Sequence, residues 1–84
     1  MYLAMIDEKY KNYLYDLGSI LREMGVEAVE EHEQAKGTNQ ESFKLGYLMG
    51  FHRVLTLMQQ QAEGFEIEQQ EIAMQDFDAD VDLS

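Results

Sequence analysis

Lys36-Gly37-Thr38-Asn39-Gln40-Glu41 reads as a helix stop followed at once by a helix start, and it divides the chain into the two patterns that decide the fold. Gly37 stands where a helix commonly ends in a left-handed residue, and Lys36 complements the carbonyls of the last turn. Thr38 and Glu41 have the Thr-x-x-Glu spacing of a capping box, which opens the next helix.

Upstream, Leu3, Ile6, Tyr10, Tyr13, Leu17, Ile20 and Met24 are spaced alternately by three and four. That is an a/d stripe, widened on one side by Leu14, Leu21 and Ala28, with Lys9, Asp16 and Glu23 opposite. The spacing predicts a helix from residue 2. Gly25, followed by Val26, reads either as its end or as a residue inside a helix continuing to Lys36. Downstream, Phe43, Tyr47, Gly50, Val54 and Leu57 form one stripe. Leu48, Phe51, Leu55, Met58, Ala62 and Phe65 form a second beside it, and Gly64 ends the element. Folded back as an antiparallel hairpin, positions summing to about 75 oppose each other: Gly25 and Gly50, Met24 and Phe51, Leu21 and Val54, Leu17 and Met58. That match of small with small favours the continuous helix.

Beyond Gly64 the pattern predicts a short third helix over Glu68 to Met74. From Asp76 to Ser84, Asp holds the even positions up to 82 and apolar residues the odd ones, as in an extended segment with one apolar edge. The expected fold class is all-α: a helical hairpin domain over 1–75 with a short third segment, and an acidic C-terminal tail over 76–84. Two stripes on the second helix make a face too wide for one partner helix. Each large apolar side chain withdrawn from water contributes about 1.5–3 kcal/mol, so a homodimer forming a four-helix bundle is expected. Gly46, Leu48, Gly50, Phe51, Leu55 and Met58 are its expected interface.

Composition narrows the function. The chain has 84 residues, with 17 acidic and 6 basic side chains and a net charge of −11. A core of this size is marginal without a disulfide, a metal or a second subunit. Cysteine is absent, which excludes disulfides, thiolate metal sites and a cysteine nucleophile; proline is absent too, which favours helix. Residues 1–62 hold nine acids and six bases, whereas residues 63–84 hold eight acids and no base. Such acidity argues against direct nucleic-acid binding and against anionic membrane surfaces. The first residues, MYLAMIDEKY, lack the pattern of a secretory signal, and no run approaches a membrane span, so a cytoplasmic protein is expected.

No constellation in the sequence carries chemistry. Gly46-x-x-x-Gly50 lets helix backbones approach closely, and its first reading is packing within the hairpin, its second an oligomer contact. His52 and His32 lack the Glu-x-x-His spacing of carboxylate-bridged metal centres, the third residue before each being Met49 and Val29. His52 is expected to bond a nearby acid at a helix edge, and His32 to be solvated among glutamates. Asp76-x-Asp78-x-Asp80 begins like a calcium loop, but Val81 stands where glycine is required. Ser19, Ser42, Ser84, Thr38 and Thr56 lie in no nucleophile elbow or phosphate loop. Tyr10, Tyr13 and Tyr15 read as core and core edge, or as an interface. No enzyme activity, metal or cofactor is expected.

Two functional readings follow. The first is a dimeric interaction module that binds a basic protein through Asp76, Phe77, Asp78, Asp80, Val81, Asp82 and Leu83. A tail packed on its own body is the plainer alternative. The second is a nucleic-acid mimic of the phage or plasmid type that occupies a basic groove. Mimicry requires acids on a rigid body, for which the best candidates are Glu27, Glu30, Glu31 and Glu33.

Overall fold

The computed structural model describes the backbone from Tyr2 to Ser84 and the side chains from Glu8 onward. Helix α1 spans Tyr2–Ala35 and α2 spans Glu41–Gly64; a 3-10 turn at Gln69–Ile72 and a single helical turn, α3, at Ala79–Asp82 follow. No strand occurs among the described residues. Leu3 and Ile6 of the upstream stripe lie outside the described side chains.

Gly25 does not stop α1. A Cβ built on it comes within 3.1 Å of Leu55 Cδ1 and 3.2 Å of Leu83 Cδ2, so glycine here admits two leucines to the helix backbone. At 1.5 Å per residue, 34 residues span about 51 Å, most of the 56 Å long axis. The hairpin is antiparallel with a register near 75, but Gly25 packs on Leu55 and Leu83 and not on Gly50, which faces open space. Lys44 Nζ meets Glu31 Oε1 at 2.7 Å, a pair summing to 75, and Leu21 shares a groove with Phe51 and Val54.

The turn closes differently from the expected box. Gly37 takes the left-handed conformation (φ 82°) that ends α1. Thr38 Oγ1 donates to the Ala35 carbonyl (2.6 Å) and accepts from the Gln40 N–H (3.1 Å), while Glu41 Oε1 accepts from the Gly37 N–H (3.1 Å). Thr38 is occupied with the end of α1, and the residue flanking α2 is Gln40, with no side-chain cap. Lys36 holds Glu33 at 2.8 Å across the last turn of α1. That hydrogen bond, then the lysine charge, lowers the Glu33 carboxyl below its ordinary range.

The C-terminal segment forms a second layer over one face of the hairpin. Ile72, Met74, Phe77, Ala79 and Leu83 join Ala28, Leu48, Leu55 and Ala62 in one core. Residues 76–84 therefore differ from the hairpin in charge yet share its interior. Their alternation does not produce an extended edge. Asp78 caps α3, its carboxylate accepting from the Asp80 N–H at 2.9 Å, and Asp82 Oδ2 returns to the Asp78 N–H at 2.8 Å. One helical turn then puts Ala79 and Leu83 on the buried side and leaves Val81 69% exposed.

The covered face of α1 also differs from the a/d stripe. Tyr10, Tyr13, Ile20 and Met24 are 63%, 65%, 52% and 37% exposed. The buried side runs instead through Gly18, Gly25 and Ala28, with Leu14 and Leu21 beside them. Small residues win because a backbone segment packs there: a Cβ on Gly18 would collide with the Ile72 carbonyl oxygen.

Candidate functional site

Polar side chains on both helices hold the C-terminal segment. From α1, Arg22 Nη1 donates to the Ala73 and Gln75 carbonyls at 3.0 and 3.1 Å, and its guanidinium lies 5.0 Å from the Phe77 ring centroid. From α2, Gln59 Nε2 donates to the Phe77 carbonyl at 2.9 Å, and Gln59's own carbonyl accepts from Gln69 Nε2 at 3.1 Å. His52 Nε2 meets Asp80 Oδ1 at 2.8 Å. Arg22 is the chief fastener, because one charged fork ends two carbonyls and covers an aromatic face. Replacing Arg22 with Ala should lower the unfolding free energy by about 1.5 kcal/mol. Urea denaturation checks this, and Arg22→Lys should recover only part of the loss.

This framework fixes an acidic surface. Asp76, Asp78, Asp80 and Asp82 are all exposed, as are Glu63, Glu66 and Glu68. Among the described residues, basic groups reach the segment's carboxylates at two points, Lys11 to Glu71 at 4.0 Å and His52 to Asp80. Of the residues expected to bind a partner, the four aspartates and Val81 face outward. Phe77 and Leu83 are 7% and 2% exposed; they are core residues, because the segment closes on its own hairpin. His52 does bond an acid at a helix edge, but one 28 residues away, which spacing along the chain does not reveal. The Asp78 carboxylate takes a backbone N–H and that of Asp80 takes His52, so the calcium-like spacing serves a helix cap and a histidine–carboxylate contact. No three His, Asp or Glu side chains among the described residues form a group able to hold a metal ion.

On the other side of the hairpin lies an open apolar face. At 100° per residue, Ile20 sits roughly 160° around α1 from both Gly18 and Arg22, and Gly50 roughly 160° around α2 from Leu48. Leu21, Gly46, Tyr47, Gly50, Phe51 and Val54 line a groove of about 320 Å³. A Cβ at Gly46 or Gly50 would meet nothing within 4 Å. The Gly-x-x-x-Gly pair is thus not packed inside the hairpin. Leu48 and Leu55, expected at the dimer interface, are 3% and 0% exposed beneath the C-terminal segment. Phe51 and Met58 are half-buried, and of that set only Gly46 and Gly50 are fully on the surface. The tyrosines expected in the core, Tyr10, Tyr13 and Tyr15, are exposed as well.

No helix of the described residues is long and apolar enough to cross a membrane. Comparison with protein-family models, curated proteins and solved structures returns no match.

Proposed function

We propose that the chain is a protein–protein interaction module without catalysis. Its working unit is a four-helix bundle of two hairpins, and the carboxylates of its C-terminal segment meet a basic partner. The carrying observation is the anchoring of that segment: Phe77, Ala79 and Leu83 are in the core, and Asp76, Asp78, Asp80 and Asp82 stand outside it. Carboxylates presented on a folded surface bind without the cost of ordering a loose tail. They also steer a cationic partner at long range.

The test is affinity capture from source-cell extract with the intact chain and with Asp76, Asp78, Asp80 and Asp82 all changed to Asn. Asparagine caps a helix as well as aspartate, so α3 should persist. Capture should weaken as salt rises, because exposed charges are screened beyond about 8 Å at physiological ionic strength. It should weaken further in the fourfold variant. Capture that is indifferent to both changes would overturn the reading.

The same anchoring favours a second reading, a nucleic-acid mimic, since the acids stand on a folded body. Duplex DNA or RNA should then displace the captured protein from the chain, and a partner with no nucleic-acid site would exclude it.

A further inference from the structure

The chain exposes more surface than its mass requires. Its accessible area is 6356 Å², against about 5,200 Å² for a compact monomer of 9.8 kDa. The radius of gyration, 15.3 Å, compares with about 12 Å for a compact domain of this length. The excess, about 1,200 Å² over the whole chain, goes with its 56 Å long axis. Apolar side chains on one face supply part of it: Tyr13, Ile20 and Met24 from α1, Tyr47 and Val54 from α2.

Charge along the rims of that face says what covers it. Beside Ile20 and Met24, the outer edge of α1 carries exposed Asp16, Glu23 and Glu27. Between Ser42 and Ala62 there is no acid at all, and exposed Arg53 lies next to Val54 on the corresponding edge of α2. The α1 edge carries these three acids with Lys9 near its start, and the α2 edge carries Arg53 and no acid, an asymmetry that a second copy can satisfy reciprocally.

We propose that a second copy of this chain docks on the open face about a two-fold axis parallel to the helices, with α1 of each copy against α2 of the other. Rotation about such an axis keeps every residue at its own height. Residue n of α1 is therefore level with residue 75 − n of α2 in both hairpins, the register that Glu31 and Lys44 show within one chain. Glu23 then stands level with Arg53 of the second copy, and Ile20 and Met24 stand level with Val54 and Gly50. The alternative two-fold, across the helices, would set α1 on α1 and bring Asp16, Glu23 and Glu27 against their own copies. The acidic layers face outward on both sides. This geometry deepens the proposed bundle, and it moves the interface from Leu48 and Leu55 to the opposite face.

Sedimentation equilibrium of the full chain at micromolar concentration tests it, with circular dichroism confirming that each variant folds. The wild type should be a dimer. Ile20→Glu and Val54→Glu, both at exposed positions, should give folded monomers. Glu23→Arg and Arg53→Glu should each weaken the dimer about tenfold, as two symmetric ion pairs become like-charge contacts. The double variant Glu23→Arg/Arg53→Glu should return to within about threefold of wild type. A monomeric wild type would overturn the proposal and leave the face to a partner of different sequence, while salt-sensitive capture by the acidic segment would still stand. A dimer whose affinity ignores the reversals, or that the double variant does not restore, overturns the α1-on-α2 arrangement.

Discussion

A chain ending at Gln75 should not hold the fold. Truncation there removes Phe77, Ala79 and Leu83 from the core and uncovers Leu48, Leu55 and Met74, which are 3%, 0% and 1% exposed in the intact chain. Losing Phe77 and Leu83 alone costs about 3–6 kcal/mol of apolar burial. A domain of 84 residues has roughly 4–13 kcal/mol in total. Gln59 also loses the Phe77 carbonyl to which it donates, and Arg22 loses the Phe77 ring beside its guanidinium. Calorimetry of the truncated chain should show a transition that is broad or absent at 25 °C. A melting temperature within a few degrees of the intact chain would mean that the hairpin is self-sufficient, and that the segment is an accessory layer.

Gly18→Ala should destabilise by about 2–3 kcal/mol, the cost of forcing atoms into packed space. In an ordinary exposed helix the same change gains up to about 1 kcal/mol. The sign reverses because the new methyl would strike the Ile72 carbonyl, a backbone atom that cannot rotate away. The 3-10 turn at Gln69–Ile72 would lift off α1, and with it the Arg22 contacts to Ala73 and Gln75. Gly64→Ala is the control. Nothing lies within 4 Å of a Cβ there and its backbone is not left-handed, so the change should be neutral or slightly stabilising. Chemical denaturation of both variants checks the contrast, and equal effects would place the Gly18 contact outside the stabilising set.

The aspartates reported the acidic surface in the sequence, but not the device that holds it. Arg22, Gln59 and Gln69 fasten the segment through backbone carbonyls, and no side-chain pattern advertises a carbonyl partner 51 residues away. The sequence ambiguity at Gly25 had the same origin. A glycine that stops a helix and one that admits a neighbour's leucines look alike until the neighbour is in place.

Local and periodic properties were determined by the sequence itself. The two long helices, the stop at Gly37, the hairpin and its register near 75 follow from spacing and turn chemistry, which depend on residues a few positions apart. Which faces are buried was decided only by tertiary structure. Both helices carry more apolar surface than one neighbour can cover, and periodicity shows where apolar residues lie without ranking the faces. The closing of residues 65–84 on Gly18, Gly25 and Leu55 makes that choice. It buries the small-residue side of α1 and turns Tyr13, Ile20 and Met24 outward. The alternation at 77–83 becomes a capped helical turn, with Asp78 supplying the cap: Ala79 and Leu83 keep the buried side at a spacing of four, while Val81, which would share it in an extended segment, turns outward.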